Sequence, residues 1–95
     1  MRFYFHEGAE TEFDKAVDYY EECQPGLGLE FTQEVYAAIA RVIQFPEAWS
    51  PISKNTRRCL VSRFPFGVIY RVKPGYIEVV AVADLRRRPG YWQNR

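Results

Sequence analysis

An α+β fold, a helical hairpin packed on one mainly antiparallel four-stranded sheet, is predicted for this 95-residue chain by three observations. Two consecutive segments, residues 9–20 and 31–43, carry apolar side chains at helical spacing. Beyond residue 56 the period drops to two, and turn residues divide the stretch into three strands. A short aromatic alternation at the start of the chain supplies a fourth strand. Two amphipathic helices and a sheet with an apolar face must bury one another, which gives a two-layer sandwich in β–α–α–β–β–β order. The length suits one domain, residues 1–95. A composition of 47% hydrophobic and 17% aromatic residues excludes a disordered chain and gives a small core large burial per residue.

In residues 1–6, Arg2, Tyr4 and His6 alternate with Met1, Phe3 and Phe5, and bulky aromatics suit a pleated surface. In the first helix Ala9, Phe13, Ala16, Val17 and Tyr20 form the apolar face, and Glu10, Asp14, Asp18 and Glu21 the polar one. Early glutamates suit the positive end of the helix dipole. Pro25-Gly26-Leu27-Gly28 stops this helix. The second runs from about Leu29 to Gln44, with Phe31, Val35, Ala38, Ile39, Val42 and Ile43 as its stripe, and the short connection makes the pair antiparallel. Pro46, Trp49, Ser50, Pro51, Ser53 and Asn55 are loop chemistry. Arg57 to Phe64, Val68 to Val72 and Tyr76 to Ala83 read as a meander turned by Pro65-Phe66-Gly67 and Lys73-Pro74-Gly75. The nearly all-apolar run Ile77 to Ala83 reads as a strand covered on both faces, and it is the expected partner of the first strand. Arg57–Phe64 is then expected at the opposite edge, where its arginines discourage edge-to-edge pairing.

The net charge of +1 conceals a division. Residues 1–50 carry three basic and ten acidic side chains, a net −7; residues 51–95 carry ten basic and two acidic, a net +8. Eight of the ten late cations are arginines, whose flat forked heads suit phosphate or carboxylate. Such a dipole attracts polyanions or an acidic partner. The longest apolar run, Val79 to Ala83, is far short of the roughly 20 residues of a membrane span. No charged-then-apolar leader opens the chain, so a cytoplasmic protein without a membrane partner is expected. His6 is the single histidine and Cys23 and Cys59 are the only cysteines, too few for a zinc site or a disulfide framework; no metal and no cofactor is expected. Both cysteines stand where small buried residues are expected. No phosphate loop and no Ser–His or Cys–His pairing is present.

The tail Ala83-Asp84-Leu85-Arg86-Arg87-Arg88-Pro89-Gly90-Tyr91-Trp92-Gln93-Asn94-Arg95 is the segment richest in chemistry. Arginines beside aromatics grip phosphates and stack on bases. Tyr91 suits proton transfer where neighbouring cations lower its pKa. The alternative use of Tyr91 and Trp92 is to pack on the sheet and anchor the end of the chain.

Several pieces, in this order and spacing, resemble the RelE/ParE superfamily of toxins from type II toxin–antitoxin modules, also called plasmid stabilisation proteins. They are Tyr19-Tyr20-Glu21, Pro25-Gly26-Leu27-Gly28 with Phe31, Pro46 ahead of Trp49, Arg57-Arg58, Arg63-Phe64-Pro65-Phe66-Gly67-Val68-Ile69-Tyr70-Arg71, and Arg87-Arg88-Pro89-Gly90-Tyr91-Trp92. The resemblance implies the same element order and a growth-inhibiting toxin neutralised by a cognate antitoxin. ParE-like members bind DNA gyrase; RelE-like members cut messenger RNA on the ribosome, with Lys, Arg and Tyr assisting attack of a 2′-hydroxyl. Arg58 matches a basic position on the RelE strand, Tyr91 its C-terminal Tyr, and Arg86 or Arg87 a basic position of the tail. Leu60 stands where a Lys is expected, Gly67 where an Arg is, and Asp84 or Leu85 where a His commonly opens the tail. The resemblance therefore implies gyrase poisoning ahead of a metal-independent endoribonuclease, with a degenerate non-toxic member as a further alternative. If the chain cuts RNA, Arg58, Arg87 and Tyr91 are its catalytic residues. In either case Arg57, Arg63, Arg86, Arg88, Trp92 and Arg95 are expected to bind target or phosphate.

Overall fold

In the computed structural model, which describes residues 1–95, the elements are β1 (Arg2–Phe5), α1 (Glu7–Cys23), α2 (Leu27–Gln44), β2 (Ser50–Pro51), β3 (Arg57–Leu60), β4 (Phe66–Lys73) and β5 (Tyr76–Asp84). The sheet order is β1-β5-β4-β3-β2. Every pairing is antiparallel except β1 with β5, where Arg2 to Phe5 lie beside Tyr76 to Val79. The α+β sandwich and the pairing of the first strand with the last agree with the sequence.

The expected four-stranded sheet is a five-stranded one. Ser50 and Pro51 form an extra edge strand against Arg58 and Arg57, so β3 is not the edge. Proline suits that edge because it has no N–H to offer a ladder. The expected strand Arg57–Phe64 also ends early, at Leu60. The chain then turns through Arg63, which has φ 72, the left-handed region that a non-glycine residue seldom adopts.

His6 caps α1: its Nδ1 accepts the Gly8 N–H at 3.0 Å. Glu7 and Glu10 occupy the first turn, complementing the helix dipole. α1 buries Ala9, Phe13, Ala16 and Tyr20. Gly26, at φ 88, makes the reversal into α2 and has no side chain with which to cap it. Glu21 of α1 caps instead, accepting N–H bonds from Gly26 and Gly28 at 3.0 Å each. The helices cross closely at Gly28, where a Cβ would lie 2.8 Å from the Val17 carbonyl oxygen. Cys23, expected to be buried, is exposed at the end of α1; Cys59 is buried on β3 as expected.

The main core lies between the helix pair and the sheet. Phe31 is its centre, with the rings of Phe66, Tyr20, Phe64 and Phe13 at 5.0, 5.1, 5.1 and 6.0 Å. A smaller apolar cluster, Ile69, Val80, Ala81 and Ala83, covers the opposite face of the sheet and is capped by Trp92. The pairing of β4 with β5 shifts register between Ile69 and Tyr70, which face Ala81 and Val79. Val80 is therefore an extra residue in β5, a bulge. It resets the alternation, so Ile77, Val79 and Val82 face the helices while Val80, Ala81 and Ala83 face away. This is how one strand is apolar along nearly its whole length.

The buried Tyr70 donates its hydroxyl to the Pro46 carbonyl at 2.6 Å, tying the loop after α2 to β4. Burial pushes this phenol up to about 12. Its unfolded value is about 10, so the fold holds the proton more tightly than the open chain does. The associated stability is complete below about pH 10 and is lost as pH rises from about 10 to about 12. In urea titrations across that range, Tyr70→Phe is expected to remove part of the alkaline fall, leaving that of Tyr20 and Tyr91, which are also raised. At neutral pH the variant loses about 1 kcal/mol with its hydrogen bond. An unchanged alkaline limb contradicts this account.

Candidate functional site

The tail leaves β5 at Asp84 and folds back along the N-terminal half of α1. Between them lies an open cleft of about 710 Å³, lined from α1 by Lys15 and Tyr19 and from the tail by Arg86, Arg87 and Tyr91. β1 accompanies β5 only as far as Val79. The edge of β5 beyond that point faces α1, and two side chains satisfy its backbone groups. Glu12 accepts the Val82 N–H at 3.1 Å, and Arg95 donates to the Val80 carbonyl at 3.0 Å.

The arginines of the tail have different partners. Arg86 makes a forked pair with Asp84, Nε to Oδ1 and Nη2 to Oδ2 at 3.0 Å each. This pairing holds the Asp84 carboxyl below its ordinary value. Arg87 and Arg88 are exposed and take no part in the ion pairs of the chain. Arg87 lines the cleft and is held by its own N–H, which donates to the Asp84 carbonyl. Arg95 is turned inward, paired through Nη1 with Oε1 of Glu12 and through Nη2 with Oε2, at 3.0 and 3.1 Å.

Three other arginines do not line the cleft. Arg57 donates from Nη1 to the Trp49 and Glu47 carbonyls, at 2.7 and 3.1 Å, pinning the loop before β2. Arg63 pairs with Glu30 and Glu34 of α2, at 2.7 and 3.7 Å, and its guanidinium lies over the Phe64 ring. Arg58 is exposed on β3 without an acidic partner. Its stem runs past Gly67, where a Cβ would come within 3.1 Å of Arg58 Cγ and 3.3 Å of Leu85 Cδ2. The missing side chain at Gly67 leaves that room.

Trp92 packs on the outer cluster of the sheet and anchors the tail. Tyr91 turns to the cleft, with its ring 5.0 Å from that of Trp92 and the Arg95 guanidinium over it at 5.3 Å. Proton transfer by Tyr91 requires that neighbouring cations lower its pKa; the shift is upward. Burial and the Glu12 carboxylate raise it, outweighing Arg95 and Arg87. The structure thus brings Arg86, Arg87, Tyr91 and Arg95 around one cleft, leaves Arg57 and Arg63 elsewhere, and sets Arg58 outside the lining but beside the tail at Leu85. The sequence reading missed Glu12, Lys15 and Tyr19 as members. Lys15 carried a signal, being the one cation in the acidic helix α1. Nowhere do three His, Cys, Asp or Glu side chains gather as metal ligands, and no helix is long and apolar enough to cross a membrane.

A family model described as the ParE toxin of type II toxin–antitoxin systems, parDE, matches residues 3–89. The chain is similar to Toxin ParE2 of Mycobacterium tuberculosis, in strain CDC 1551 / Oshkosh and in strain ATCC 25618 / H37Rv. Each is 29% identical over 85 residues, a match that spans 88% of this chain and 81% of the relative. Its fold is similar to a chain of the chromosomal ParDE TA system from P. aeruginosa, with a TM-score of 0.77 and 19% identity, covering 90% of this chain and 96% of that one.

Proposed function

The chain belongs to the ParE toxin family of type II toxin–antitoxin systems, and from that premise we propose that it arrests growth by binding DNA gyrase, without catalysing a reaction, until a cognate antitoxin neutralises it. The observation that carries this reading is that Arg87 and Arg88 stand exposed and unpaired on a tail anchored by Trp92. Tyr91 is 40% exposed, yet partial burial of its hydroxyl and the adjacent Glu12 carboxylate raise the phenol, which keeps its proton at neutral pH and does not accept one from an attacking hydroxyl. Arg58, the basic strand residue that the RelE resemblance implies, does not line the cleft with Tyr91, and Leu60 and Gly67, where that resemblance expects further cations, supply no charge.

What remains suits recognition. Arg87 and Arg88 present unpaired forked cations on a segment anchored by Trp92, a patch able to steer and grip an acidic protein surface. The same cations favour an acidic antitoxin segment, which would block the target by occupying the patch.

Purified chain added to a gyrase supercoiling assay, and in parallel to translating ribosomes with their message, tests this. Supercoiling is expected to stop, the message to remain intact, and the product of the adjoining short reading frame to restore supercoiling. Ribosome-dependent cleavage with supercoiling unaffected would establish the ribonuclease reading instead.

A further inference from the structure

We propose that Glu12 and Arg95 are positioning residues that fix the arginine segment 86–88 against α1 without touching the target, an inference that rests on the gyrase reading above. The forked pair spans the chain from its first helix to its last residue. It is 19% exposed at Glu12 and 22% at Arg95. Each member also bonds the free edge of β5, Glu12 at the Val82 N–H and Arg95 at the Val80 carbonyl. The main-chain oxygen of Arg95 accepts from Arg71 of β4 at 2.5 Å, so the segment is held from both layers. Between Asp84 and Trp92 the tail also meets α1 where the Tyr91 hydroxyl lies beside the Glu12 carboxylate, the same acid that Arg95 holds in place.

A second observation shows that room is made for this pair. A Cβ at Gly8, in the first turn of α1, would lie 2.5 Å from Arg95 Cζ and 2.7 Å from Nε. Gly8→Ala therefore dislodges the guanidinium while removing no charge and giving the helix a better helix former.

The test compares Gly8→Ala, Glu12→Gln, Arg95→Lys and Arg95→Ala with the parent chain. The readouts are gyrase inhibition, thermal midpoint, and NMR amide exchange and heteronuclear NOE at Val82 and Arg86 to Arg88. Gly8→Ala and Arg95→Ala are expected to speed exchange at Val82 by about tenfold and to loosen Arg86 to Arg88. The same two are expected to lower inhibition by about tenfold while the thermal midpoint of Gly8→Ala stays near the parent's. Arg95→Lys, which keeps the charge but not the fork, falls between Arg95→Ala and the parent. Unchanged inhibition in a variant whose Val82 amide has opened overturns the proposal. If the parent does not inhibit gyrase, the reading above fails by itself. The NOE at Arg86 to Arg88 then still decides whether the pair positions the segment, and rigid arginines in Gly8→Ala overturn it.

Discussion

Replacing Arg87 and Arg88 together by Glu is expected to reduce gyrase inhibition by at least about a hundredfold. Both side chains are exposed and neither is committed to a carboxylate within the chain. Reversal therefore replaces two attractions with two repulsions at the contact and takes nothing from the core. The folded chain should lose no more than about 0.5 kcal/mol, the range of ordinary surface changes. Arg86→Ala should cost less inhibition, because that guanidinium is already occupied by Asp84. Arg63→Ala should cost none, since it ties the meander to α2 away from the cleft. Titration of supercoiling inhibition against each variant, with circular dichroism for folding, checks the series. Full potency in the double variant would remove the tail from the working surface.

The largest effect on stability is expected at Phe31. Its ring is fully buried and touches four other aromatic rings drawn from α1, β4 and the turn before β4. Phe31→Ala leaves a void that rigid rings cannot close, at a cost of about 3–5 kcal/mol. A domain of this size holds only about 5–15 kcal/mol in all. At roughly 4–8 °C per kcal/mol the thermal midpoint should fall by about 15–30 °C. Leu29→Ala, two residues earlier on the exposed side of the same helix, serves as the control and should change little. A loss below about 1 kcal/mol at Phe31, measured by urea unfolding, would mean that the core repacks around the gap.

The element order and the pairing of the outer strands were legible because both helices keep a clean apolar stripe and the meander keeps its turn residues. Ser50–Pro51 was not, because two residues carry no periodicity and Pro51 argues locally for a loop. The Val80 bulge was hidden for a related reason: a run of small and branched apolar residues reads the same with or without a shift of face. Among the candidate site residues, the tail was found from its composition, but the employment of each arginine was not. Whether Arg57, Arg63 and Arg95 face carbonyls and carboxylates of their own chain or a partner depends on contacts up to 83 residues distant in sequence. Spacing along the chain says nothing of these. Glu12 illustrates the point from the other side: on the helix it is one acid among many, and only the exposed edge of β5 singles it out.

The parallel pairing of β1 with β5 has a consequence for how the protein is made. Strands in every other pair of the sheet lie near one another in the chain, whereas Arg2 must wait for Tyr76. A ribosome therefore releases the first strand, with Met1, Phe3 and Phe5, long before its partner exists, and the helical hairpin and meander have time to assemble around an empty place. High contact order of this kind slows the closing step and prolongs the exposure of apolar edges. The arginine segment emerges later still. A nascent chain thus has no closed sheet until β5 has emerged, and the arginine segment joins the folded surface only after that strand.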